Sequence, residues 1–193
     1  MTTQMNRLSI LVLMICLSCQ GALNAQSTQF KKYSNQRYHF SFDLPANWAI
    51  IYSKAQDGLI CIPLTKQEKE IYSDCYEGIV FRMNVITMAL DSALADDGNY
   101  TKVGDTYYTT DRINDSVRTK NIKGADWRGI YHDNVCGISC DGSFHAAAGS
   151  CEFIYLSNGK ITICITTNGL EFDVDVLKKL LDSFRFHTPP RHK

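Results

Sequence analysis

Glu152-Phe153-Ile154-Tyr155-Leu156-Ser157-Asn158-Gly159-Lys160-Ile161-Thr162-Ile163-Cys164-Ile165 decides the fold of this chain. Two β-branched and aromatic runs flank Asn158-Gly159. Asn-Gly between alternating apolar runs is the strongest short-range hairpin signal, because both positions tolerate positive φ. One face collects Ile154, Leu156, Ile161, Ile163 and Ile165; the other carries Phe153, Tyr155, Thr162 and Cys164. A two-residue turn at Asn158-Gly159 sets Ser157 opposite Lys160, Cys164 opposite Phe153 and Cys151 opposite Thr166.

Working outward, the residues after the hairpin predict a helix from about Phe172 to Phe184. Val176, Leu177, Leu180, Leu181 and Phe184 recur at three- and four-residue spacing, with Lys178, Lys179 and Asp182 opposite. That stripe packs on a sheet. Upstream, Tyr38 to Leu44 alternates with period two, as a half-buried strand does, and Pro45-Ala46-Asn47 breaks it. Trp48–Tyr52, Leu59–Pro63, Gly78–Met88 and Trp127–His132 read as further strands, with weaker ones at Tyr107–Thr110 and Val117–Lys120. Thr65 and Glu68 have capping-box spacing and predict a short helix start over 65–70. Leu90 to Ala95 reads as a brief helix stopped near Gly98.

The chain begins with one basic residue, Arg7, then an uncharged run from Leu8 to Cys19 and small residues ending at Ala25. This is the pattern of a secretory signal peptide, residues 1–25, cut near Ala25. The apolar run falls short of the roughly 20 residues that span a bilayer. A lipoprotein signal with Cys19 as the lipid anchor is the minor alternative. Residues 26–35 are polar and read as a flexible leader, 36–187 as a single domain, and 188–193 as a loose tail that Pro189-Pro190 keeps out of any helix or ladder. Once processed, the chain holds 20 acidic against 19 basic residues, Arg7 having been removed with the signal. Such a balance gives no electrostatic case for nucleic acid or for an anionic membrane. The expected address is the periplasm or the cell exterior.

Two segments carry a family likeness. Tyr38-His39-Phe40-Ser41-Phe42-Asp43-Leu44-Pro45-Ala46-Asn47-Trp48 resembles the opening of PsbP-like domains, and Leu177-Lys178-Lys179-Leu180-Leu181-Asp182-Ser183-Phe184-Arg185-Phe186 resembles their closing helix. The family includes photosystem extrinsic proteins, Ran-binding nuclear-import factors and exported bacterial proteins. The resemblance implies an α+β fold: a twisted, largely antiparallel sheet with helices on both faces, an α/β/α sandwich. It implies a binding or assembly role without catalytic residues to transfer. The cysteines and the stretch between Cys136 and Cys151 depart from the family, so a photosynthetic or nuclear role does not carry over.

Six of the eight cysteines survive processing, and six permit 15 pairings. An exported chain favours disulfides. Cys61–Cys75 closes a loop of about 15 residues, worth roughly 3 kcal/mol in the chain-entropy model. Cys151 and Cys164 share a hairpin face but stand diagonally, about 7–8 Å apart, beyond usual disulfide reach. Cys136–Cys151 is preferred if the strands around the loop pair antiparallel. Cys140–Cys164 then follows, or Cys164 stays a buried thiol. The alternative is a copper or zinc or thiol-redox centre built from Cys136, Cys140, Cys151 and Cys164 with His145, which soft thiolates and an imidazole would suit.

No nucleophile elbow, phosphate loop, dinucleotide fingerprint or His-Glu-x-x-His occurs, so no catalytic residue, metal site or cofactor is expected. Trp127, Tyr131, His132, Asp141, Phe144 and His145 would cluster if the loop after Cys136 folds over the sheet. They form the candidate surface for a protein or small-molecule ligand. The expectation is therefore an exported, disulfide-stabilised, non-catalytic binding or assembly domain.

Overall fold

The structure, a computed structural model, describes residues 28–53, 58–62, 80–110, 116–135, 138–140, 143–145, 150–168 and 174–188. The signal segment, the Thr65–Glu70 helix start and the tail from Pro189 lie outside these residues.

The chain is α+β, mainly antiparallel sheets with two short helices among the described residues. With strands numbered in chain order, the largest sheet runs β3 (Ala49–Ser53), β4 (Gly58–Ile62), β5 (Val80–Ile86), β14 (Thr162–Asn168), β13 (Ser150–Ser157), β10 (Arg128–Val135) and β9 (Lys120–Lys123). Every pairing in it is antiparallel. Smaller sheets join β1 (Phe30–Asn35), β2 (Phe40–Pro45) and β15 (Arg185–Phe186), and β6 (Tyr100–Val103), β7 (Thr106–Thr110) and β8 (Ser116–Arg118). A hairpin of β11 (Ile138–Cys140) and β12 (Ser143–His145) stands apart from them. The helices are α1 (Leu90–Asp97) and α2 (Val174–Ser183).

The apolar stripe of α2 is where the spacing puts it. Val176, Leu177 and Leu180 are buried and Lys178, Lys179 and Asp182 exposed. They share a core with Phe40, Phe42, Phe81, Ile154, Leu156, Ile163, Ile165 and Phe184. Each fully buried apolar side chain of this kind contributes roughly 1.5–3 kcal/mol. The helix end is tied to β2, since Ser183 Oγ donates to the Leu180 carbonyl at 3.0 Å and accepts from the Asp43 amide at 2.8 Å. The other face of the large sheet carries a second cluster, in which Leu90 and Leu94 of α1 meet Tyr107, Ile130 and Tyr155. Helix α1 stops at Gly98, which adopts the left-handed conformation at φ 77°.

The hairpin forms with its turn one residue further on than expected. Its register is Ser157↔Thr162, Leu156↔Ile163, Tyr155↔Cys164 and Ile154↔Ile165, so Gly159-Lys160 fills the centre. The reason is the Asn158 side chain. Its Oδ1 accepts from the backbone amides of Lys160 (2.9 Å) and Ile161 (3.0 Å), while the backbone N–H of Asn158 donates to the Ile161 carbonyl at 3.3 Å. Only Gly159 then needs positive φ, at 89°, as the first central residue of a type II′ turn does. The pairing moves by an even number of residues, so every side chain keeps its expected face.

A second correction concerns the leader. Phe30–Asn35 is a strand paired with β2 from Phe30↔Pro45 to Asn35↔Phe40. Its polar sequence hides this, but Tyr33 buries its ring 5.1 Å from that of Phe42. Lys31 Nζ donates to the carbonyls of Ala46 and Trp48 at 2.9 and 2.7 Å, which closes the far end of the pair.

Candidate functional site

Helix α1, the β6–β7 hairpin and the β9–β10 pair enclose a cleft of about 430 Å³. That size is within the range of small-molecule sites, which begins at about 300 Å³. Leu90 and Tyr107 give it an apolar floor, and Asp91, Lys102, Lys123 and Arg128 give it charge. Register sets the pieces: Lys102 lies opposite Tyr107 in the β6–β7 hairpin, and Asp91 sits in the first turn of α1, where the helix dipole favours a carboxylate. Lys102 Nζ bonds Asp91 Oδ2 at 2.8 Å, and the Tyr107 hydroxyl donates to Asp91 Oδ1. The Lys102 ammonium also lies 5.3 Å from the Tyr107 ring centroid.

These contacts lock the protonation states. Hydrogen bonds from Lys102 and then Tyr107 hold the Asp91 carboxyl below its ordinary range. The bond to Asp91 raises the Lys102 ammonium. Burial, reinforced by Asp91, raises the Tyr107 phenol. At neutral pH the cluster is therefore carboxylate, ammonium and neutral phenol, a fixed array suited to orienting a ligand and poorly suited to moving protons. Beside it, Arg128 and Lys123 are register partners on adjacent strands. Like charges directly opposite each other weaken a sheet, and among the described residues neither makes an ion pair.

Behind the cleft runs a buried polar chain. The Tyr155 hydroxyl donates to Asp97 Oδ2 at 2.8 Å, the Tyr155 and Tyr100 rings meet edge-on with centroids 5.4 Å apart, and Tyr100 Oη lies 2.8 Å from His132 Nε2. A carboxylate only accepts, so the Tyr155 proton points to Asp97. His132 Nδ1 is buried without a hydrogen-bond partner among the described residues. Burial lowers the pKa of this imidazole, which stacks on Phe153 at 5.0 Å.

The residues nominated from sequence divide. Trp127 belongs to the core around α2, and its Nε1 donates to the Phe184 carbonyl at 3.3 Å. Tyr131 packs against the same core, whereas His132 faces Tyr100 on the opposite side of the sheet. Alternation along β10 therefore separates these residues, and the nominated cluster does not assemble from them. Asp141 lies outside the described residues, and Phe144 and His145 are described in backbone only, at the register positions opposite Ser139 and Ile138.

Cys151 is disulfide-bonded. The condition set for Cys136–Cys151 is met in that β10 and β13 pair antiparallel as far as Val135↔Ser150, while the other half of the bond, like Cys75, Cys136 and the side chains of Cys61 and Cys140, lies outside what is described. Cys164 is a free thiol, the second of the two outcomes the sequence left open for it, and so not a bridged cysteine. It faces Tyr155 from within the second cluster, and burial pushes its pKa up to about 11. No group of three or more metal-ligating side chains occurs among the described residues.

One serine–imidazole pair exists among the described residues: His187 Nε2 lies 2.8 Å from Ser41 Oγ. Ser41 is only 1% exposed, so its hydroxyl is beyond reach of a substrate and the bond serves to pin the C-terminal strand. Among the described residues no helix is long and apolar enough to cross a membrane.

The cleft residues themselves were missed in the sequence. Asp91, Lys102, Tyr107, Lys123 and Arg128 come from five separate elements, and none sits in a motif. The only signal was the alternation of Tyr107 with its neighbours and the basic spacing of 118–128. No protein-family model matches the chain, and no curated protein is significantly similar to it. A solved structure from Bacteroides thetaiotaomicron VPI-5482 is similar in fold to 83% of this chain, at 12% identity and a TM-score of 0.49. The chain spans about half, 49%, of that protein's length.

Proposed function

We propose that the protein is an exported, disulfide-stabilised domain that binds a ligand, a small molecule or part of a larger partner, and carries out no chemistry on it. The observation behind this reading is the cleft between α1, β6–β7 and β9–β10, whose Asp91–Tyr107–Lys102 cluster is hydrogen-bonded into one protonation state. The fold reading that accompanies it is a PsbP-like α/β/α sandwich. It is supported by the packing of α2 and α1 against opposite faces of the large sheet and by the meeting of the two family-like segments, where β15 pairs with β2.

This reading is preferred over the alternative, a copper or zinc or thiol-redox centre using Cys136, Cys140, Cys151, Cys164 and His145. Cys151 is committed to a disulfide and Cys164 is held away from the thiolate form that metals and exchange require. The test is a small-molecule screen read by amide chemical shifts. Hits are expected to move the signals of Leu90, Asp91, Lys102 and Tyr107 together. Hits that cluster elsewhere on the surface would remove the cleft from consideration.

A further inference from the structure

Strand β8 runs into β9 through Thr119, where the chain passes from the small sheet to the large one. The bend is pinned under the cleft, since both the amide and the hydroxyl of Thr119 donate to the Tyr107 carbonyl at 3.0 Å. Along this strand lies a second hollow of about 430 Å³, lined by Thr106, Arg118, Thr119, Lys120 and Asn121. Asn121 also lines the first cleft, so the two hollows adjoin across β9. Among the described residues they gather five cations (Lys102, Lys123 and Arg128 in the first, Arg118 and Lys120 in the second) against two carboxylates, Asp91 and Asp105; the Lys120 ammonium lies 5.3 Å from the Tyr131 ring centroid. Asp91 is already held by Lys102 and Tyr107.

Lysine on an edge strand is an ordinary guard against edge-to-edge pairing. That explains Lys120 and Lys123. The same guard covers Lys102 on β6 and Arg118 on β8, the two edges of the small sheet. It does not explain Arg128 on the interior strand β10, nor why Arg128 is set opposite Lys123. An anion bridging such a pair would turn a repulsion into a binding site.

We propose, resting on the reading of the cleft as the ligand site, that the surface from Lys102 and Arg128 across β9 to Arg118 binds an acidic polysaccharide, a sugar chain with repeated carboxylate or sulfate groups. Extended over its four residues, β9 alone spans roughly 13 Å at about 3.3 Å per residue. That is longer than a single anion needs and suits a polymer. Nucleic acid fits less well because it needs exposed aromatic faces for its bases. The aromatic ring of the first cleft, Tyr107, is buried, with Lys102 over it and its hydroxyl bonded to Asp91. Asn121 and Thr106 supply amide and hydroxyl groups for sugar hydroxyls between the charges.

The experiment is calorimetric titration of the processed chain with polygalacturonate, dextran sulfate, neutral dextran, poly-L-glutamate and oligo-dT at several salt concentrations. Two variants accompany it, Lys123→Gln with Arg128→Gln and Arg118→Gln with Lys120→Gln, with thermal melts to establish folding. At least one acidic polysaccharide is expected to bind while dextran does not, and which one binds separates carboxylate from sulfate recognition. Each double variant is expected to weaken binding about tenfold at low salt and to reduce the slope of log K against log salt by roughly 0.7 per cation removed. The proposal is overturned if neither acidic polysaccharide binds, if folded charge variants bind like the wild type, or if poly-L-glutamate or oligo-dT binds more tightly at matched charge. Dextran binding that shifts the Leu90 and Tyr107 amide signals would overturn the charge proposal and leave the cleft reading standing. Polyanion binding that leaves those signals unmoved would overturn both.

Discussion

Phe42 and Phe184 stack with ring centroids 6.2 Å apart and planes 6° from parallel, although they come from near opposite ends of the chain. Phe40 joins them, its centroid 5.6 Å from that of Phe184, and Trp127 meets Phe184 edge-on at 6.5 Å. The last helix and the first strands are thus one packing unit, closing one face of the large sheet and leaving the opposite face to α1, β6–β8 and the cleft.

Phe184 is fully buried at the centre of this unit. Phe184→Ala is expected to lower stability by about 3–5 kcal/mol, the usual cost of emptying an aromatic core site, and Phe184→Leu by clearly less. Urea unfolding followed by tryptophan fluorescence measures both, because Trp127 abuts the ring. A loss under about 1 kcal/mol for the alanine variant would mean that the ring is not a core member.

The hairpin turn makes a sharper prediction. A Cβ on Gly159 meets no atom within 4 Å, so Gly159→Ala carries only the cost of the left-handed backbone, roughly 1–2 kcal/mol. Lys160→Ala, at the second central position, is expected to be near neutral. Thermal melts of the two variants distinguish a Gly159-Lys160 turn from an Asn158-Gly159 turn, in which residue 158 would be the other strained position.

His132 gives the fold a pH dependence with a definite sign. Burial lowers its pKa in the folded state, so below the ordinary histidine value the unfolded chain takes up the proton first. Its stabilising contribution is complete above about pH 6.5 and is lost as pH falls through the lowered value. Every tenfold difference in proton affinity between the folded and unfolded chain is worth about 1.4 kcal/mol. The charged groups facing it are Asp97, through the two tyrosines, and Asp133. The difference in melting temperature between wild type and His132→Gln should favour the wild type most at pH 7–8 and shrink toward pH 5. A difference that grows on acidification would reverse the assignment.

The thiols can be counted. If residues 1–25 are removed, as proposed, six cysteines remain, and Cys164 is free, which leaves an odd number for pairing within one chain. A monomer must therefore carry a second thiol, and a dimer an intermolecular bridge. Alkylation under denaturing, non-reducing conditions, read by intact mass, should modify an even number of cysteines in the monomer, Cys164 among them. In the native state Cys164 should resist alkylation at pH 8, since burial holds its pKa at about 11. Alkylation of none, or rapid native modification at Cys164, would contradict this.

Much of the fold was legible because periodicity reports burial directly. The α2 stripe, the β2 alternation and the β13–β14 pair each placed their apolar residues on the correct face. The turn register was not legible, because Asn158 acts through side-chain bonds that an Asn-Gly dipeptide signal does not encode. Strand β1 was hidden by its polar composition, its pairing being secured by Tyr33 and Lys31 across the fold. Of the nominated site residues, Trp127, Tyr131 and His132 lay within one short stretch, yet strand alternation sent Tyr131 to the core of α2 and His132 to the other face. The cleft was invisible because its charges are scattered along the sequence, and only topology places Lys102, Lys123 and Arg128 around one opening.

The most direct measurement is lysine acetylation footprinting by mass spectrometry, with the protein in buffer and again with polygalacturonate or dextran sulfate. Lys102 and Lys123 are expected to lose reactivity in the presence of the polyanion, while Lys32 and Lys178, exposed on β1 and α2, stay unchanged. Protection at Lys32 or Lys178 with Lys102 and Lys123 fully reactive would show that the working surface lies on the other side of the molecule.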